Sequence, residues 1–151
     1  MSLDETKNIR ALFVLEVLGR PPEHLVETLQ GLIKKIGEEK GVIVKDHKIN
    51  KPVLMKDQKD FYTNFAEVEI EVKDSLKLLL MVFKYMPAHL EILYPENIRL
   101  TNDGFGLILN ELTRRLHGYD EVARIIQMEK KILEKKLRTL LGNKKSGKEK
   151  K

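Results

Sequence analysis

An α+β sandwich of order β-α-β-β-α-β, followed by helices, is what the sequence predicts, and three observations lead there. Asn8–Gly19 is a strand with apolar residues on both faces, the mark of a central strand covered on both sides. Two later stretches repeat their apolar residues at helical spacing, and strand-like runs follow each. Between those helices lies a run with strong alternation, Phe61–Val72, that reads as a strand.

The first strand places Ile9, Ala11, Phe13, Leu15 and Val17 on one face and Leu12, Val14 and Leu18 on the other. Arg20-Pro21-Pro22-Glu23 then opens a helix over 21–38, because proline's fixed φ and missing N–H suit the first turn. Its apolar stripe is Leu25, Leu29, Leu32, Ile33 and Ile36. A second strand over 42–49 turns polar and meets Pro52, which cannot donate to a ladder and so predicts a sheet edge. Met55–Asp60 reads as a charged loop. The third strand, 61–72, sets Ala66, Val68, Ile70 and Val72 against Phe65, Glu67, Glu69 and Glu71. Asp74 or Ser75 caps a helix over 75–86 with an expected apolar face of Leu76, Leu79, Leu80 and Phe83, and 88–94 is a fourth strand.

This order, with right-handed crossovers, gives a ferredoxin-like sandwich of sheet order 4-1-3-2 with both helices on one face. It puts the two-sided opening strand in the middle. Residues 1–100 are assigned to that sandwich, and 101–142 to a C-terminal helical pair packed on the same domain. Thr101-Asn102-Asp103 caps the first of the pair, His117-Gly118 stops it, Asp120 caps the second, and Gly142 ends it. Residues 143–151 are expected to be a disordered lysine-rich tail.

Charge is unevenly spread. The net +5 resolves into −2 over residues 1–128 and +7 over residues 129–151, so any nucleic-acid attraction belongs to the end of the chain. The absence of cysteine excludes disulfides and thiolate chemistry and suits a reducing cytoplasm. No apolar run approaches a membrane span, and no signal peptide is evident ahead of the first strand.

Leu12-Phe13-Val14 with Leu18, and Asn64-Phe65-Ala66-Glu67-Val68-Glu69-Ile70, resemble the two strand patterns of the RNA-recognition motif, a family with this topology. The resemblance implies that Phe13 and Phe65 stack bases on an open sheet face. The sequence departs from the family where a second aromatic becomes Glu67, the motif's glycine becomes Asn64 and the basic residue before it becomes Thr63. Glu67, Glu69 and Glu71 on one strand, with His89 and Glu91 on another, could instead hold a metal ion. The opening strand lies between those strands and separates the groups by about 9.6 Å, so solvation or pairing with Lys45, Arg114 or Arg115 is the plainer expectation. Gly104-Phe105-Gly106 opens a helix and could lend N–H groups to an anion. No glycine-rich phosphate loop and no activated serine appear, and no cofactor or catalytic residue is assigned.

The expected function is therefore a non-enzymatic interaction or assembly module that forms a homodimer through its last helix. Val122, Ile126, Leu133, Leu137 and Leu140 share a face of that helix about 27 Å long at 1.5 Å per residue. The open face of a four-stranded sheet is only about 14 Å wide, so the helix end overruns its own domain. Leu133, Leu137, Leu140 and Leu141 are the interaction candidates. Glu129 and Lys136 intrude on the face, which is not a clean heptad seam. The alternative is non-specific RNA or DNA binding through the basic 129–151 stretch, with Lys144, Lys145, Lys148, Lys150 and Lys151 as the contacts. A weaker one is ligand or metal-dependent activity on the acidic sheet face.

Overall fold

Two long antiparallel strands, β1 (Lys7–Gly19) and β4 (Tyr62–Asp74), pair along their whole length and form the spine of the sheet. A computed structural model describes residues 5–149, with side chains as far as Lys144. Around the spine stand α1 (Pro22–Glu38), β2 (Val42–Ile49), β3 (Val53–Leu54), α2 (Ser75–Tyr85), β5 (His89–Tyr94) and α3 (Asn102–Glu149). The sheet runs β2-β4-β1-β5, every pairing is antiparallel, and β3 adds to β4 beyond the end of β2. It is an α+β fold on an open sheet of five strands rather than the expected four. The added strand follows from Pro52: the edge strand stops at Ile49, and the chain rejoins β4 at Val53↔Thr63 and Leu54↔Tyr62.

Register decides which face is the core. Ile9↔Val72, Ala11↔Ile70, Phe13↔Val68 and Leu15↔Ala66 are cross-strand partners, and all eight side chains are buried. Against them α1 packs Leu25, Leu29, Ile33 and Ile36, as its stripe predicts. The other helix differs from expectation. α2 buries Leu78 and Met81, with Val82 and Tyr85 beside them, whereas Leu76, Leu79, Leu80 and Phe83 stay only partly covered. Its sequence, SLKLLLMVFKY, is apolar almost all round, so periodicity alone does not select a face.

Asp74 fixes where α2 begins: extended at the N-cap, it accepts the Lys77 N–H at 2.9 Å. Glu39, just past the end of α1, ties the two helices together. Its carboxylate accepts from Tyr85 Oη at 2.8 Å, from Lys77 Nζ at 3.4 Å and from Lys84 Nζ. Lys84 first, then Tyr85 and Lys77, hold the Glu39 carboxyl down at about 2, against its ordinary 4.5. At the other end of the core, Asn64 is fully buried with neither side-chain polar atom hydrogen-bonded.

The chain divides into two compact units, Met1–Ile108 and Leu109–Lys151. The second consists of α3 residues. The expected helical pair is replaced by one continuous helix that passes through His117-Gly118 and Gly142 and reaches Glu149. Glycine inside a helix costs only about 1 kcal/mol, too little by itself to end a helix that continues on both sides. Asp120 accordingly does not cap; it pairs with Arg124 one turn on at 2.9 Å. Lys150 and Lys151 of the expected tail lie outside the described residues.

Two predictions follow from this packing. Met81→Ala should lower the unfolding free energy in urea by about 2–5 kcal/mol, as loss of a buried side chain does, with Leu79→Ala costing clearly less. The Glu39 contribution is full above its ordinary value of 4.5 and is lost as pH falls through about 2, because the folded state lowers its pKa. Glu39→Gln should therefore melt below the parent at pH 7, and the gap should close as the pH falls from 4.5 to about 2.

Candidate interaction surface

The open face of the sheet is where the sequence offers aromatics and carboxylates, and register disposes of most of both. Phe13 pairs with Val68 inside the core, while Phe65 pairs with Glu16 and is half-buried on the opposite face. The two aromatics therefore cannot form the one stacking platform that the resemblance to the RNA-recognition motif implies. The parity was legible: Phe13 shares its face with Ile9, Ala11 and Leu15, whereas Phe65 shares its face with three glutamates.

The acidic row is engaged by cations or solvated. Glu69 lies 3.8 Å from Arg10, which also sits over the Tyr94 ring at 5.5 Å, and Glu71 lies 3.3 Å from Lys45. Glu67 is exposed. Across the sheet, Val14 stands between Glu67 and His89, and Leu12 between Glu69 and Glu91. Apolar side chains thus separate the carboxylates of β4 from the groups of β5, and no cluster of three ligating side chains occurs among the described residues. Arg114 and Arg115, the expected cations for the row, are hydrogen-bonded to Glu111 on their own helix and hold its carboxyl down at about 2.

The start of α3 carries an anion already. Thr101 Oγ1 accepts the Gly104 N–H at 3.0 Å and donates to Glu5 Oε1 at 2.6 Å. A Cβ on Gly104 would meet Glu5 Oε1 at 1.6 Å, so only glycine lets that carboxylate come so close to the helix end. The negative charge sits where the helix dipole favours it. The Gly104-Phe105-Gly106 opening thus receives the chain's own Glu5.

The second unit presents a long run of exposed apolar side chains. From Leu116 to Lys144 every side chain of α3 is exposed. Leu133, Leu137, Leu140 and Leu141 are 64%, 57%, 63% and 53% exposed, and Val122, Ile125, Ile126, Met128 and Ile132 are comparably open. Lone surface leucines are ordinary, but a run of apolar side chains over several turns is not. Around it lie the i,i+4 pairs Asp120–Arg124 and Lys130–Glu134. Of the basic candidates, Lys144 is exposed on α3, Lys145 and Lys148 fall within the same helix, and Lys150 and Lys151 lie beyond the described residues. Among the described residues no helix is long and apolar enough to cross a membrane.

A family model described as the MJ0538 family matches residues 10–141, which takes in the sheet, both packed helices and most of α3. No curated protein and no solved structure matches the chain.

The cap gives a direct test. Thr101→Ala should cost about 0.5–2 kcal/mol in a urea melt, the usual loss for a helix N-cap, and Thr101→Ser should recover most of it.

Proposed function

The chain belongs to the MJ0538 family, and we propose that it works as a homotypic assembly module: a ferredoxin-like sandwich that self-associates as a homodimer through the apolar face of α3. The sheet order β2-β4-β1-β5, with α1 and α2 sharing one core face, supports the sandwich reading. The observation that carries the association reading is the exposure of Leu133, Leu137, Leu140 and Leu141 on one helix. Apolar side chains in such an array are covered in most folded proteins, and a two-fold pair is the commonest closed way for identical chains to cover them. Lys135, Lys136 and Arg138 border the array and can lay their stems over its rim while their charges stay in water.

Sedimentation of the full chain tests the proposal. The parent should run at twice 17.6 kDa at micromolar concentration, and Leu137→Asp with Leu140→Asp should run as a monomer with an unchanged sheet signal in circular dichroism. A parent that stays at 17.6 kDa at high micromolar concentration overturns it, and the basic stretch 129–151 then becomes the stronger reading.

A further inference from the structure

Because α3 does not break at Gly118, its apolar pattern can be followed without interruption from Leu109. Leu109, Leu112, Leu116 and Tyr119 are spaced three, four and three residues apart. Ala123, Ile126, Leu133, Leu137 and Leu140 continue the same alternation, with Lys130 filling the one remaining place. Alternation of three and four is the heptad of a left-handed coiled coil. In this register Glu129 and Lys136 fall beside the seam, where flanking charges belong, so they no longer interrupt it. The seam spans about 47 Å at 1.5 Å per residue, over four heptads.

Building on the self-association proposed above, we infer that two copies of α3 pair as an antiparallel coiled coil centred on Glu121, with Leu116 of each chain against Ile126 of the other, Leu109 against Leu133, and Leu137 against Phe105, which continues the same spacing four residues before Leu109. Charge and size both favour this arrangement over a parallel one. In a parallel, in-register pair, Lys130 meets its own copy inside the seam, and Glu129 of each chain flanks Glu134 of the other. Only Arg115 with Asp120 is favourable there. In the antiparallel register, Arg115 of each chain flanks Glu129 of the other, and Val122 meets its own copy at the centre. The one like-charge contact is Asp120 with its copy, at the solvent edge. Arg115 already bonds Glu111 at 2.9 Å within its helix, and a guanidinium has donors enough for a second carboxylate. Lys130 lies against Leu112 of the other chain and can run its stem along it.

Size points the same way. The parallel pair stacks an Ala123–Ala123 layer directly after a Tyr119–Tyr119 layer, leaving a gap beside a bulge. The antiparallel register sets Ala123 against Tyr119, small against large, which keeps the helix spacing even. Moving the antiparallel register by one heptad toward the C-terminus sets Arg115 beside Lys136 of the other chain, which is repulsive. The flanking charges therefore disfavour that shift, and a shift of one heptad the other way sets Arg115 beside Val122 and loses the Arg115–Glu129 pair.

The chain has no cysteine, so introduced thiols report without background. Full-length Leu116→Cys and Ile126→Cys chains are mixed, oxidised and run without reductant. The inferred register yields the mixed cross-link as the dominant product and little self cross-linking of either chain alone. Leu109→Cys mixed with Leu133→Cys provides a second, independent pair with the same expectation. Self cross-linking of Leu116→Cys or of Ile126→Cys means a parallel pair and overturns the inference. Preferential cross-linking of Leu116→Cys to Leu133→Cys means a shifted register and also overturns it. Sedimentation of the parent keeps the two levels apart: a dimer with the wrong cross-links refutes the orientation alone, whereas a monomer refutes self-association itself.

Discussion

The pairing of β1 with β4 is the constraint on which the first unit depends. Lys7–Gly19 and Tyr62–Asp74 face each other from Lys7↔Asp74 to Gly19↔Tyr62, so one register assigns every inward and outward side chain on the two central strands at once. A slip of a single residue would send Ile9, Ala11, Phe13 and Leu15 to the outer face and bring Arg10 and Glu16 into the core. Burying those two charges without partners costs far more than any local gain could return. The hydrophobic pattern therefore specifies the register strongly, and the register in turn decides what the outer face can do. On the outer face Leu12 and Val14 of β1 therefore lie as an apolar strip between the carboxylates of β4 and the groups of β5.

Helices are held to that sheet by burial and oriented by a few polar ties. α1 has one unambiguous stripe and needs little else. α2 is apolar on most sides, so contacts beyond hydrophobicity fix its rotation: Asp74 sets its start, and Lys77, Lys84 and Tyr85 converge on Glu39 after α1. Desolvation and the hydrogen bond to that carboxylate push the Tyr85 hydroxyl up to about 12, the reciprocal mark of the same contact. With these three groups directed toward Glu39, Leu78 and Met81 face inward while Leu79 and Leu80 do not.

Strand positions, the stripe of α1 and the Asp74 cap were legible because each rests on local chemistry: alternation, 3.6-residue spacing, a side-chain acceptor at a helix start. What was not legible required knowledge of a partner. The face of α2 depends on Glu39, 45 residues before Lys84 in sequence. The opposition of Phe13 and Phe65 depends on an inter-strand register, although the company each keeps on its own strand already hinted at it. The continuity of α3 was hidden by a real competing signal, since glycine after histidine commonly ends a helix. At Gly118 a Cβ would meet nothing within 4 Å, so no close approach demands a glycine there, and the helix simply continues.

The two units therefore meet the hydrophobic requirement in different ways. The first closes a core of its own, with Phe13, Leu29, Ile70 and Met81 all out of water. The second has no buried side chain from Leu116 to Lys144, and an isolated helix draws most of its stability in proteins from packing an apolar face. Its salt bridges cannot substitute for that packing, because exposed i,i+4 pairs such as Asp120–Arg124 contribute only about 0.3–0.5 kcal/mol each. In the proposed dimer, association would do for α3 what α1 and α2 do for the sheet: remove the apolar face from water. On that view the stability of the second unit is coupled to chain concentration by mass action, while the first unit keeps its own. In the coiled coil inferred above, the charges flanking the seam would contribute less to stability than to choice, since leucines accept many registers and Arg115, Glu129 and Lys130 accept few.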